Sequence, residues 1–190
     1  MNVDFIEIGT SDFNTLIEKA DDNSVLQDFA DIYNTTGQLS WELTPARIRQ
    51  KLGSRGTAYV LYDDGVVVGT AGVKTIQEYG YTIGEIGYLY LDDDHKNIRN
   101  LFMLYNAAMR GATKFDVVIT TTNVNNKTIN TLLNKSSNFE KIFLNQSQYS
   151  SNKLFVWLGN ANSGNASYEE QVEAAREYYE GNIIQDFSEV

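Results

Sequence analysis

Glu85 is the residue whose type and setting best suit chemistry. It opens the run Glu85-Ile-Gly-Tyr-Leu-Tyr-Leu91, which is apolar enough to be a buried strand. A carboxylate beside such a run can serve as a general base, provided its reach and pKa allow it. A polar turn follows, Asp92-Asp93-Asp94-His95-Lys96-Asn97, and then a helical pattern from Ile98. His95 is the only histidine and there is no cysteine. A histidine metal cluster, a thiolate nucleophile and a Ser-His-Asp triad are therefore not expected. The Asp92–His95 run reads as an acidic, exposed loop that caps the following helix. Asp63-Asp64-Gly65 lacks the ligand spacing of a calcium loop and reads as a hairpin turn.

The elements that must position these groups alternate along the chain. Val3 to Ile8 alternates apolar and polar residues and predicts a strand. Ser11 or Asp12 is a candidate cap for a helix through Lys19. Residues 25, 26, 29, 30, 32 and 33 form a helical stripe. Thr44 caps a further helix with Pro45 at its first position and Ile48 and Leu52 inward; Gly53 and Gly56 end it. Strands are expected over Thr57–Tyr62, Val66–Ile76 and Ile83–Leu91, with Gly69 and Gly72 marking a bulge or a close approach. A helix over Ile98–Gly111, a central strand over Phe115–Thr121 and a helix over Asn126–Asn134 follow. Two more strands are expected at Phe139–Asn145 and Lys153–Leu158. Tyr79, Tyr81, Tyr88 and Tyr90 alternate as a stripe that would cover a sheet face.

After Gly159 the composition changes. Residues 160–166 read as a flexible linker, and Ser167 with Glu170 forms a capping box for a helix to about Glu180. Val172, Ala175, Tyr178 and Tyr179 give that helix an apolar face, and Ile183, Ile184 and Phe187 make a short apolar terminus. The division expected is a domain over 1–159 and an acidic linker and helical arm over 160–190. Residues 160–190 hold seven acidic residues and one basic residue, so −6 of the formal net charge of −10 lies there. Such a chain repels phosphate backbones, which argues against nucleic acid as a direct partner and for other protein surfaces. No apolar run is long enough to span a bilayer. The first residues, MNVDFIEIGTSDF, lack the basic and apolar regions of a signal peptide.

Over residues 3 to 158, the order β-α-α-β-β-β-α-β-α-β-β resembles the GNAT superfamily of acyl-CoA-dependent N-acyltransferases. Two local stretches carry the resemblance. One is Glu85 and its strand followed by the turn Lys96-Asn97-Ile98-Arg99-Asn100-Leu101, which stands where the family has Q/R-x-x-G-x-G/A. The other is Asn126-Lys-Thr-Ile-Asn-Thr-Leu132-Leu133-Asn134-Lys-Ser-Ser-Asn138-Phe139, which stands where the family has N-x-x-A/S-x-x-L-Y-x-x-x-G-F. The resemblance implies an α/β (α+β) fold, a mixed central sheet of about six to seven strands flanked by helices, here with a C-terminal helical arm. It implies Glu85 as general base. It implies contacts to acetyl-CoA from Leu91, Lys96, Arg99, Asn100, Leu101 and Asn126, if the coenzyme binds.

Three positions depart from the family pattern. Arg99 and Leu101 occupy the glycine positions, where a Cβ narrows the approach of backbone to phosphate. Asn134 occupies the position of a tyrosine that protonates the leaving thiolate; Tyr149 is one substitute. The departures lead to a first expectation: a non-catalytic GNAT-fold structural or interaction protein without cofactor. It would be similar to GNAT-like virion proteins of short-tailed bacteriophages and act in the virion or host cytoplasm. Its acidic arm would dock on protein subunits of a larger assembly. The alternative expectation is an acetyl-CoA-dependent N-acyltransferase acting on a primary amine.

Overall fold

The computed structural model describes residues 15–37, 39, 41–78, 80–161 and 164–188. Among them are eight strands in one mixed sheet, in the order β1-β2-β3-β4-β5-β7-β6-β8, with five flanking α-helices. The described residues divide into two compact units: 15–75 with 86–112, and 76–85 with 113–188.

In the first unit, β1 (Thr15–Lys19) pairs antiparallel with β2 (Thr57–Asp63), in the register Thr15↔Asp63 to Lys19↔Tyr59. A helix through Lys19 was expected here, and the structure corrects it. Thr15 and Ile17 are β-branched and stiff, and the edge of β2 offers backbone partners that a helix would forgo. The expected strand over Val3–Ile8 and the caps at Ser11 and Asp12 lie outside the described residues. Helix α1 (Asn23–Asn34) is capped by Asp22, whose carboxylate accepts from the Ser24 and Val25 amides at 2.9 and 3.0 Å. Helix α2 (Pro45–Leu52) is capped by Thr44, with Pro45 leading and Ile48 and Leu52 buried, as the pattern predicts. These two helices pack Leu26, Phe29, Ala30, Ile48 and Leu52 on Ala58 and Val60 of β2.

Asp64 (φ 49°) and Gly65 (φ 78°) turn β2 into β3 (Val66–Glu78). Both central residues are left-handed, the backbone of a two-residue hairpin whose twist matches its strands. The register shifts between Leu61 and Tyr62, which pair with Gly69 and Val67. A Cβ on Gly69 would lie 2.8 Å from Leu91 and from the Tyr90 carbonyl, so this glycine marks both a bulge and a close approach. From Ile86 onward, β4 (Tyr81–Leu91) leads to helix α3 (Ile98–Ala112), which buries Leu101, Leu104, Tyr105 and Ala108.

The second unit is built on β5 (Val117–Asn123). Its Val117, Val118 and Ile119 are fully buried, and its neighbours in the sheet are β4 and β7 (Lys153–Gly159). Helix α4 (Lys127–Lys135) is locked to it by a short polar chain. The Trp157 indole donates to Thr122 Oγ1 at 2.8 Å, the Thr122 hydroxyl donates to Asn130 Oδ1 at 2.5 Å, and the Asn130 amide donates to the Asn123 carbonyl at 3.0 Å. Such a fully satisfied network specifies one docking of helix on strand. Strand β6 (Phe139–Gln146) pairs with β7 on one side and with β8 (Ile183–Asp186) on the other.

The C-terminal residues expected as an arm are packed in this unit's core. Helix α5 (Tyr168–Tyr178) has the predicted capping box at Ser167 and Glu170. Its Val172, Ala174 and Ala175, with Tyr179, pack on Ile83, Val117, Ile119, Ile142 and Val156. Arg176 joins the helix to β8 through Asp186, at 2.7 Å. The helix's modest apolar face is thus covered by the chain itself.

Candidate active site

In the unit that carries α5, Glu85 is half-buried on β4. Its carboxylate accepts a hydrogen bond from the Tyr178 hydroxyl at 3.2 Å. Tyr179 lies beside them, with its ring 4.8 Å from that of Tyr178 in an edge-on arrangement. Burial pushes the Tyr179 phenol well above its usual range, and the Glu85 carboxylate and the Tyr178 phenol push it in the same direction. Its hydroxyl has no hydrogen-bond partner among the described residues. A half-buried carboxylate with a phenol donor at one oxygen is a group able to accept a proton from an approaching amine. Sequence reading named Glu85 as the candidate base and did not name Tyr178 as its hydrogen-bond partner. The signal in the sequence was the capping box, which fixes the phase of α5 and puts Tyr178 on the inner side with Val172 and Ala175; nothing in the sequence says which strand that side meets.

The other predicted residues separate into two groups. Leu91, Lys96, Arg99, Asn100 and Leu101 lie in the other unit, at the end of β4, in the turn after it and in the first turn of α3. This turn is closed by its own hydrogen bonds. The Asp92 amide donates to the Val68 carbonyl at 3.0 Å, and the His95 amide to Asp92 Oδ1 at 3.0 Å. The Asn97 amide donates to the His95 carbonyl at 2.9 Å, the Asn100 amide to Asn97 Oδ1 at 2.9 Å and the Leu101 amide to the Asn97 carbonyl at 3.1 Å. The Asn100 side chain donates to the His95 carbonyl at 3.0 Å, and Leu101 is buried.

The cations of the turn have partners too. Lys96 pairs with Asp93 at 2.5 Å, and Arg99 donates to Thr15 Oγ1 at 3.0 Å. His95 lies between two carboxylates, with Nδ1 2.5 Å from Asp92 and Nε2 3.0 Å from Asp63. Hydrogen bonds to Asp92 and then Asp63 hold its pKa above the usual imidazole value of 6.5. A diphosphate cradle needs backbone N–H groups aimed outward over residues without Cβ. Here four of those amides are spent within the turn and the start of α3, a fifth is spent on β3, and both glycine positions carry side chains. The turn does not fit a backbone cradle for the coenzyme's diphosphate.

Asn126 belongs to the α5-bearing unit, where its side chain caps α4 by accepting from the Ile129 amide at 3.3 Å. Asn134 is exposed on the same helix. Tyr149, offered in sequence as a substitute acid, is 95% exposed on the β6–β7 turn, so burial singles out no chemical role for it. The tyrosine stripe on β4 divides. Tyr81 packs with the α5 cluster, while Tyr88 and Tyr90 pack with the α1–α2 cluster. Tyr79 lies outside the described residues. Tyr88 also has a left-handed backbone (φ 52°) in mid-strand, and its carbonyl accepts from Thr70 Oγ1 at 2.7 Å. A non-glycine residue at such a φ costs about 1–3 kcal/mol and marks strain of the kind that gathers at functional sites. Its ring is held by Phe29 and Tyr33, with centroids 6.1 and 5.3 Å away.

Residues 26–133 match the family model described as the acetyltransferase (GNAT) family. The chain belongs to that family. The match takes in Glu85, the β4–α3 turn and Asn126, and stops before α5. Among solved structures, this GNAT chain is similar to the acetyltransferase of GNAT family from Streptococcus pneumoniae, with a TM-score of 0.61 and 14% identity over 77% of this chain and 99% of that one. It is also similar to Arabidopsis thaliana Naa50 in complex with a bisubstrate analogue, with a TM-score of 0.59 and 16% identity over 77% and 99%. A third likeness is to FeeM, an N-acyl amino acid synthase from uncultured soil microbes, with a TM-score of 0.55 and 14% identity over 79% and 92%. At these identities the likeness is one of fold. A search of curated proteins returned no match.

Proposed function

We propose that this GNAT-family chain is an N-acyltransferase that acts on a primary amine, with Glu85 as the base. The observation that carries the reading is the half-buried Glu85 carboxylate held by the Tyr178 hydroxyl at 3.2 Å. The family match over residues 26–133 and the acetyltransferase likenesses support the same reaction class. An amine reaches neutral solution as an ammonium ion and cannot attack until it loses a proton. Glu85 takes that proton, directly or through one water, and its negative charge favours the approach of the cation. Amide formation releases the acyl carrier's thiol. The assay is thiol release from acetyl-CoA in the presence of a panel of primary amines, with the N-acetyl product identified by mass. No product with any amine, using folded protein, would sink the reading.

The closed β4–α3 turn favours a second reading: a non-catalytic GNAT-fold protein that serves as an interaction component, of phage type in its finest form. Its docking surface would then draw on the acidic exterior of α5, since that helix's apolar side is used internally. Product formation in the same assay decides between the two readings.

A further inference from the structure

The family match ends at residue 133, so α5 lies beyond the region that defines the family. Yet α5 is tied to β4 at both ends of its length. At its start, the nearby Glu170 carboxylate raises the Tyr81 phenol's pKa, while the Ser167 amide and then Tyr81 lower that of the Glu170 carboxyl. At its end, Tyr178 donates to Glu85. The two pairs are a tyrosine and a glutamate with the roles exchanged between strand and helix. Their spacing also matches: Tyr81 to Glu85 spans ~13 Å of strand, and Glu170 to Tyr178 spans ~12 Å of helix. The helix therefore runs alongside the first half of β4, with the Tyr178–Glu85 hydrogen bond at its C-terminal end. Val172, Ala174 and Ala175 fill the space between.

We infer that Tyr178 is a positioning residue for the Glu85 base, so that α5 completes the acceptor side of the active site. This rests on the N-acyltransferase reading for its purpose, while the pair itself can be tested without it. A glutamate on a strand has three rotatable side-chain bonds, and one hydrogen bond from a fixed phenol selects among its rotamers. The 3.2 Å separation is long for O–H···O and leaves room to shorten when substrate charge arrives. The edge-on Tyr179 ring restricts where Tyr178 can move, and the buried Val172, Ala174 and Ala175 keep the helix in place when Tyr178 is altered.

The experiment compares wild type with Tyr178→Phe, which keeps the ring and removes only the donor. The Glu85 carboxyl is followed by NMR in protein labelled at the glutamate carboxyl carbon, with Glu85→Gln supplying the assignment. Loss of a hydrogen bond to the charged form should move the Glu85 midpoint upward by about one pH unit. In the acylation assay, the acidic limb of kcat/KM should move upward by the same amount, with little change in KM for the donor. The reciprocal measurement is the Tyr178 phenol titration, which should fall to lower pH in Glu85→Gln. An unchanged Glu85 midpoint in a folded Tyr178→Phe protein overturns the inference, whether or not acylation is seen. A shifted midpoint together with an inert wild type overturns the acyltransferase reading and leaves the Glu85–Tyr178 coupling standing. If Tyr178→Phe does not fold, the reciprocal titration decides alone: an unmoved phenol in Glu85→Gln overturns the inference.

Discussion

The Glu85 site and the β4–α3 turn are both places where this family is expected to do chemistry, and they are built in opposite ways. At Glu85 the chain leaves a carboxylate half-buried with a phenol donor on one oxygen and, beside it, a buried Tyr179 hydroxyl without a partner among the described residues. In the turn, amides, carboxylates and cations are matched to one another. A half-buried polar group still meets a ligand that approaches it. One whose capacity is spent inside the chain must first break what it has. The first region leaves a carboxylate half-buried, and the second spends its polar groups on one another.

The largest effect should come from removing the proton acceptor. Glu85→Gln keeps the shape and a hydrogen-bond acceptor for Tyr178 but cannot take a proton. Acyl transfer to a primary amine should fall by about 10²–10⁴ in kcat/KM, with the folded far-UV spectrum and the unfolding midpoint close to wild type. An equal rate in the variant would break the contrast, because Glu85 would then be as inert as the turn.

A smaller effect, on stability, tests whether the Glu85 region is as tightly set as its neighbours imply. Gly84 precedes Glu85, and a Cβ there would lie 2.5 Å from the Phe115 ring, which is fully buried. Gly84→Ala should cost about 1–3 kcal/mol of unfolding free energy, because a closely packed core does not yield to an added carbon without strain. Urea denaturation measures it. A loss below about 0.5 kcal/mol would mean the ring moves freely, and the positioning of Glu85 would need another cause.

The turn offers the third comparison. If it makes no diphosphate cradle, an acyl donor lacking the nucleotide should serve almost as well. Acetyl-pantetheine and acetyl-CoA should have kcat/KM values within about tenfold of each other, a difference of at most about 1.4 kcal/mol in binding. A preference for acetyl-CoA of a hundredfold or more would show that the turn opens to grip phosphate.

Much of this fold is legible in short stretches of sequence. The helical stripe of α1, the Thr44–Pro45 start of α2, the Asp-Gly hairpin, the apolar β5 and the Ser167–Glu170 box are local signals, and each places an element where it is found. The errors are where local signals and distant partners disagree. Thr15–Lys19 can be the end of a helix by pattern and is a strand because β2 presents an open edge. The apolar face of α5 covers Ile83, Val117 and Ile119, and nothing in residues 160–190 names these partners. The site divides in the same way. Glu85 stands out in sequence because it opens an apolar run, although the structure places it in mid-strand rather than at a strand's head. Tyr178 is 93 residues away in sequence, and only the packing of α5 brings it to the carboxylate.

The smallest expected effect concerns His95 and gives the turn's rigidity a pH dependence. Asp92 and Asp63 each face one ring nitrogen, so the clamp is complete only when both nitrogens carry protons, as in the imidazolium. These partners raise the folded-state pKa above the usual 6.5. A group with a raised folded-state pKa contributes stability that is fully present below the unfolded value and is lost as pH climbs through the folded one. The clamp should therefore be strongest below pH 6.5 and weaken above it. Its side chain is only about a quarter exposed (26%), but both carboxylates are near a third exposed, so solvent screens the pair. The contribution should be under about 1 kcal/mol. The measurement is the difference in thermal midpoint between wild type and His95→Asn, taken from about pH 5.5 to about pH 9, a range that brackets the imidazole titration. The gap should be widest at acid pH and close on the alkaline side. A gap that does not vary with pH would mean that the turn is held by its backbone bonds alone, and that Asp92 and Asp63 do not need the imidazolium between them.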